Sequence, residues 1–173
     1  MKLLSLTGRR VQPWPHLDDD APLIPQTHGV VTLARLQDER DAVAKALHSV
    51  GVQVPGHSDA GDVGPLLDRL ALVEIAFPSF KDGRGFTLAT RLRKDWGYTG
   101  ELRASGPVLP DQAAFLLRCG FDSLEIADER APVAEAALSH FSHVMQMTAL
   151  DAMSGRGRPS VLHHRHILRA KAA

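Results

Sequence analysis

The chain reads as an α/β protein: a mainly parallel sheet of four to five strands with crossover helices, either open or curled into a partial barrel. Two observations carry this reading. From Gly29 onward, apolar β-type runs alternate with segments of helical period, and the strand-helix units at 72–96, 101–120 and 123–149 are similar in size. A strand that reaches a parallel neighbour must return across the face of the sheet, so this alternation implies right-handed crossover units. Composition adds that one core suffices. The 173 residues are 44% hydrophobic and 23% charged, ordinary values for a single globular domain.

In chain order, residues 1–28 form a Pro-rich N-terminal arm, with Pro13, Pro15, Pro22 and Pro25 around the acidic triplet Asp18 to Asp20. Proline at that density favours extended backbone over helix or central strand. The α/β domain spans 29–150. Its expected strands are Val30 to Leu33, a short Val50 to Val54, Leu72 to Phe77, Glu101 to Ala104 and Ser123 to Ala127. Helical stretches lie between them near Gln37 to Ser49, Val63 to Leu70, Thr87 to Trp96, Asp111 to Cys119 and Pro132 to Ala149. Leu88, Leu92 and Trp96 recur every four residues and form the expected buried stripe of their helix. Gly120 is placed to end the next helix in a left-handed conformation. After Asp151 the chain carries no acidic residue, and 151–173 reads as a basic, flexible tail.

Several function classes are disfavoured. Lys plus Arg equals Asp plus Glu at 20 each, so no global field draws the chain to nucleic acid or anionic lipid. No run of about 18 apolar residues is present to span a bilayer, and the first residues are too short for a signal-peptide core, which gives a cytoplasmic expectation. Cys119 is the single cysteine, so no intramolecular disulfide or cysteine-ligated cluster can form within the chain. Flanked by Arg118 and Gly120 at a helix C-terminus, it reads as a small apolar group and not as a nucleophile. His140 and His143 share a helix without a nearby carboxylate, and no metal site is assigned to them or to His163, His164 and His166.

The densest cluster of informative residues is the turn from Phe77 to Thr87, Phe-Pro-Ser-Phe-Lys-Asp-Gly-Arg-Gly-Phe-Thr. It runs from the end of a strand to the start of a helix, the edge where α/β proteins bind ligands. Gly83 and Gly85 permit tight turns, Thr87 is a candidate N-cap, and free helix N–H groups with Arg84 favour an anion. The same residues also suit a capped turn with a solvated arginine. The spacing is neither a dinucleotide fingerprint nor a P-loop, and no cofactor is expected. Asp82, Gly83, Arg84, Gly85, Arg91 and Arg103 are the candidate anion- or partner-binding residues. Behind them stand Glu74, Glu101 and Glu125, one carboxylate in each of three successive strands. Charges inside parallel strands want partners or a solvated cavity. Either a polar ladder that fixes register or a ligand-lined pocket satisfies that demand.

The string from Phe80 to Phe86, followed by Arg91-Leu92-Arg93, Gly97-Tyr98, Gly100 to Ala104, Gly106, Asp111-Gln112 and Arg118 to Asp122, resembles a bacterial family of unknown function. The likeness covers roughly Gly29 to Gln146. Members are described as oxidoreductases probably involved in sulfite reduction, because their genes lie beside those of sulfite reductase and related sulfur-assimilation enzymes. The resemblance therefore implies a pathway and not a reaction. The expectation it yields is an accessory or subunit-like protein of assimilatory sulfite reduction, one that binds sulfite reductase, another sulfur-assimilation enzyme or a small oxyanion. The alternative is a small stand-alone oxidoreductase or lyase with an arginine-lined anion pocket.

Overall fold

A computed structural model describes residues 1–23 and 25–140. They build one open six-stranded sheet of β1 (Lys2–Ser5), β2 (Gln26–Thr32), β3 (Leu47–Pro55), β4 (Leu70–Ala76), β5 (Glu101–Ser105) and β6 (Ser123–Ile126). The spatial order is β1-β6-β5-β4-β3-β2. Strands β2 to β6 pair in parallel, each with the next in sequence, and β1 runs antiparallel to β6 at the far edge.

Six strands replace the four to five expected. The additional one is β1, which lies inside the segment read as an arm. At four residues it carries too little alternation to mark itself, and only its pairing with β6 makes it a strand. The chain is wound by α1 (Leu33–Asp38), α2 (Arg40–Ala46), α3 (Ala60–Val63), α4 (Arg84–Lys94), α5 (Ala113–Cys119) and α6 (Ala131–His140). The helix expected from 37 to 49 is instead two short helices, and β3 already begins at Leu47. The helix expected near 63–70 is α3 followed by a 3-10 turn, Gly64–Arg69. Pro65 has no N–H to continue the α-helical ladder there. Residues 141–173, which include His143 and the basic tail, lie outside the described residues.

Because each parallel connection steps to the neighbouring strand in one direction, right-handed crossovers stack the helices on one face of the sheet. The residues turned to that face are apolar: Val52 and Val54, Val73 and Ile75, Leu102 and Ala104, Leu124 and Ile126. They form one core with Leu88, Ala89 and Leu92 of α4 and Leu116 of α5. Trp96 departs from its expected place in the stripe. It is 43% exposed and lies over Gly64, where a Cβ would stand 2.2 Å from its ring. Gly120 closes α5 with φ 103°, as its position implied.

The opposite face is covered by the chain itself. Strands β1 and β2 occupy opposite edges, so the segment joining them must cross the whole sheet, about 24 Å at about 4.8 Å per strand interval. Gln12 O accepts from Arg103 on β5 at 2.8 Å, and the Trp14 ring packs against Gly51 of β3. His16 reaches Glu74 of β4. Pro15 and Leu17 exchange backbone hydrogen bonds with Val30 along the outer edge of β2. Arg35 then clamps the carbonyls of Asp18 and Ala21. The proline-rich arm is thus an ordered strap across the sheet.

Candidate functional site

The strap covers an unusual surface. Along one transverse row of the helix-free face stand Thr32, Gln53, Glu74, Arg103, Ser123 and Ser5, polar in every strand. Glu74 and Arg103 are fully buried. Glu74 Oε1 accepts from Gln53 Nε2 at 2.7 Å and from Ser105 Oγ at 2.8 Å, and its Oε2 meets His16 Nε2 at 2.9 Å. Arg103 donates from Nε and Nη2 to Glu101 Oε1 at 3.1 and 2.9 Å. Ser123 Oγ donates to the same oxygen at 2.6 Å. Glu125 Oε1 stands 3.7 Å from Arg103 Nη1. Burial and the neighbouring Glu74 charge push the Glu125 carboxyl up, against the pull of Arg103.

The three glutamates and Arg103 therefore share one face, as the period-two alternation of β4 to β6 implies, with Arg103 pairing Glu101 and Glu125 while Glu74 is held by Gln53, Ser105 and His16. That same alternation removes Arg103 from the anion pocket expected at the carboxyl edge. It shares the helix-free face with Glu101, whereas Arg84 opens α4, which packs against the opposite face. Thr87 is likewise not the N-cap: α4 begins at Arg84 after Gly83, and Thr87 sits in the first turn.

Of the remaining candidates, Arg84 and Arg91 line one cleft, while Asp82, Gly83 and Gly85 lie in the turn beside it. Beyond the carboxyl ends of β3 and β4, a cleft of about 210 Å³ is lined by Gly56, His57, Ser58, Ala60, Arg84, Thr87, Leu88 and Arg91. Gly85 lies at the base of this turn because a Cβ there would meet the Phe77 ring at 2.7 Å. Arg84 is largely exposed and folds back on Asp82, with Nη2 at 2.6 Å from Oδ2 and Nε at 3.0 Å from Oδ1. Donation from the Arg84 side chain and its backbone N–H holds the Asp82 carboxyl down at about 2. Arg91 stands 3.4 Å from Asp59 Oδ2 and 3.5 Å from Asp95 Oδ2. The Gly61 N–H, then the charge of Arg91, lowers the Asp59 carboxyl. Each guanidinium is thus paired at the rim, Arg84 with the largely covered Asp82 and Arg91 with the exposed Asp59 and Asp95.

Sequence reading missed His57, Gly56 and Ser58. Their signal was present: a Gly-His-Ser run directly after a parallel strand occupies the same edge as the 77–87 turn. His16 gave no signal, because nothing local in the arm indicates which strand it crosses. Cys119 is half-buried with its thiol pushed up by burial, in keeping with a packing role. Among the described residues no cluster of three or more His, Cys, Asp or Glu is placed to hold a metal ion, and no helix is long and apolar enough to cross a membrane.

A search of curated proteins finds no match to the chain. A family model matches residues 51–154, from the middle of β3 through all three glutamate-bearing strands, the cleft turn and α6. The chain belongs to that family, described as bacterial protein of unknown function (DUF934).

Proposed function

We propose that the protein is an accessory, subunit-like component of assimilatory sulfite reduction that holds a small oxyanion in the cleft at the carboxyl edge and docks on sulfite reductase beside it. The carrying observation is the meeting of Arg84, Arg91 and His57 around one cleft next to the start of α4, an eleven-residue helix. Guanidinium forks match two oxygens of sulfite or sulfate, and helix N–H groups add a fixed partial positive charge. The pathway comes from the likeness in sequence described above. Docking is supported by Phe80 and Phe115, 44% and 51% exposed, which is unusual for large apolar groups next to a polar cleft. Gln112 Nε2 ties the Phe80 carbonyl to the start of α5 at 3.2 Å, so both rings belong to one edge of the molecule.

Calorimetry with sodium sulfite tests the anion, and turnover of sulfite reductase with and without the protein tests the partner. Arg84→Gln and Arg91→Gln should each weaken sulfite binding about tenfold, the loss of one charge-assisted hydrogen bond. Absence of sulfite and sulfate binding, together with unchanged reductase turnover and no complex on gel filtration, would refute the reading.

A further inference from the structure

We propose that His57 is the proton-gated contact of the cleft at the carboxyl edge, so that an oxyanion is taken up there together with one proton; this rests on the anion reading above. The reason is charge balance. Arg84 is paired with Asp82, and Arg91 with Asp59 and Asp95, so three carboxylates already face two guanidiniums. Arg84 holds the Asp82 carboxyl down at about 2, and the Gly61 N–H, then Arg91, lowers that of Asp59, so both stay charged at neutral pH. The first turn of α4 adds about half a positive charge, which does not reverse the balance. The rim therefore has donors to spare but no charge. Arg84 Nη1 and Arg91 Nη2 donate no hydrogen bond among the described residues. A dianion entering without a further cation would still meet a net negative surround.

His57 can supply that cation. It lines the same cleft, is exposed, and makes no hydrogen bond or ion pair among the described residues. The Gly56 N–H donates to the Ala76 carbonyl at 2.9 Å, which fixes the His57 loop beside the carboxyl end of β4. The ring stands close enough to Asp82 for its positive charge to help hold that carboxyl down, after the larger effects of Arg84. Around it at the rim are Asp82 and Arg84 from the turn that opens α4, Arg91 and Asp95 at the end of α4, and Asp59 at the cap of α3. Of these residue types only histidine changes charge between about pH 5 and 8, and no other histidine lines the cleft. The guanidiniums thus offer the fork that orients oxygens, and His57 offers the charge that decides whether they are held.

The test is calorimetry of the full chain with sodium sulfate at about pH 5.5 and about pH 8.5, at constant ionic strength. Sulfate keeps two charges over this range, whereas sulfite gains a proton within it. Wild-type affinity should be about tenfold higher at the lower pH, and near neutrality the heat should vary with the ionisation enthalpy of the buffer, the signature of proton uptake. His57→Gln should bind at both pH values with the weak affinity of the wild type at the higher one. His57→Lys, charged across the range, should bind tightly at both. Arg84→Gln should weaken binding about tenfold at both and keep the pH dependence. Absence of sulfate binding at either pH would overturn the anion reading itself, and this inference with it. Wild-type binding of equal strength at both pH values, or a pH dependence that survives His57→Gln, would overturn the inference alone.

Discussion

Replacing Arg103 by glutamine tests what the polar row contributes to the fold. The guanidinium makes two hydrogen bonds to Glu101 Oε1, one to the Gln12 carbonyl, and faces Glu125, all at zero side-chain exposure. A glutamine cannot reach these partners or supply the charge. Glu101 and Glu125 would then stand beside the buried Glu74 without the cation they share. Removing one partner of a buried pair costs about 3–5 kcal/mol, and the partial exposure of Glu101 and Glu125 places this case near the lower figure. For a chain of this length, about 3 kcal/mol corresponds to a fall in Tm of roughly 6–12 °C by calorimetry. The strap should loosen with it, because Gln12 loses its anchor, and limited proteolysis should cut within 7–25 sooner than in the wild type. The deficit has a definite pH dependence. Burial already pushes the Glu125 carboxyl up against the pull of Arg103, so without that cation it is raised further, and the loss is largest at neutral pH and shrinks as pH falls through the carboxylate range. Arg103→Lys should recover part of the stability, since it restores charge without the fork. A Tm within about 2 °C of wild type at neutral pH, with unchanged proteolysis, would refute the reasoning.

Three further outcomes follow from the geometry. Titrated by NMR, Asp82 should lose its charge near pH 2 against an ordinary value of 3.8. Because the folded value is depressed, the clamp favours the fold above the ordinary value and is lost as pH falls through about 2, and Arg84→Gln should return the midpoint toward 3.8. Tyr98 is buried, donates to the Leu70 carbonyl at 3.2 Å and has its phenol pushed well above 10 by burial. Stability is therefore present below pH 10 and drains as pH rises beyond it, and Tyr98→Phe should flatten that alkaline loss in chemical denaturation. Gly106 has φ +97°, and a Cβ there would stand 2.2 Å from the Phe77 carbonyl oxygen. Gly106→Ala should therefore cost more than the about 1–3 kcal/mol of backbone strain alone, measured by urea denaturation.

Local pattern determined the parallel core. Strand-helix alternation from Gly29, the Gly120 helix end and the period-two placement of Glu101 and Arg103 are properties of neighbouring residues, and they survive into the structure. The Phe77 to Thr87 turn likewise falls at the carboxyl edge because a strand and the helix after it must meet there. What the tertiary structure decided is every relation between distant segments. Lys2–Ser5 becomes a strand because β6 offers an edge, and the arm crosses the sheet because β1 and β2 lie at opposite edges. His57 joins Arg84 and Arg91 across the loop that follows β3, and His16 finds Glu74 58 residues away. Arg103 and Arg84 were placed together by their positions at the two ends of one crossover, but strand parity sends Arg103 to the helix-free face. A crossover fixes which edge of the sheet a residue approaches; the direction of its Cβ fixes which face it serves.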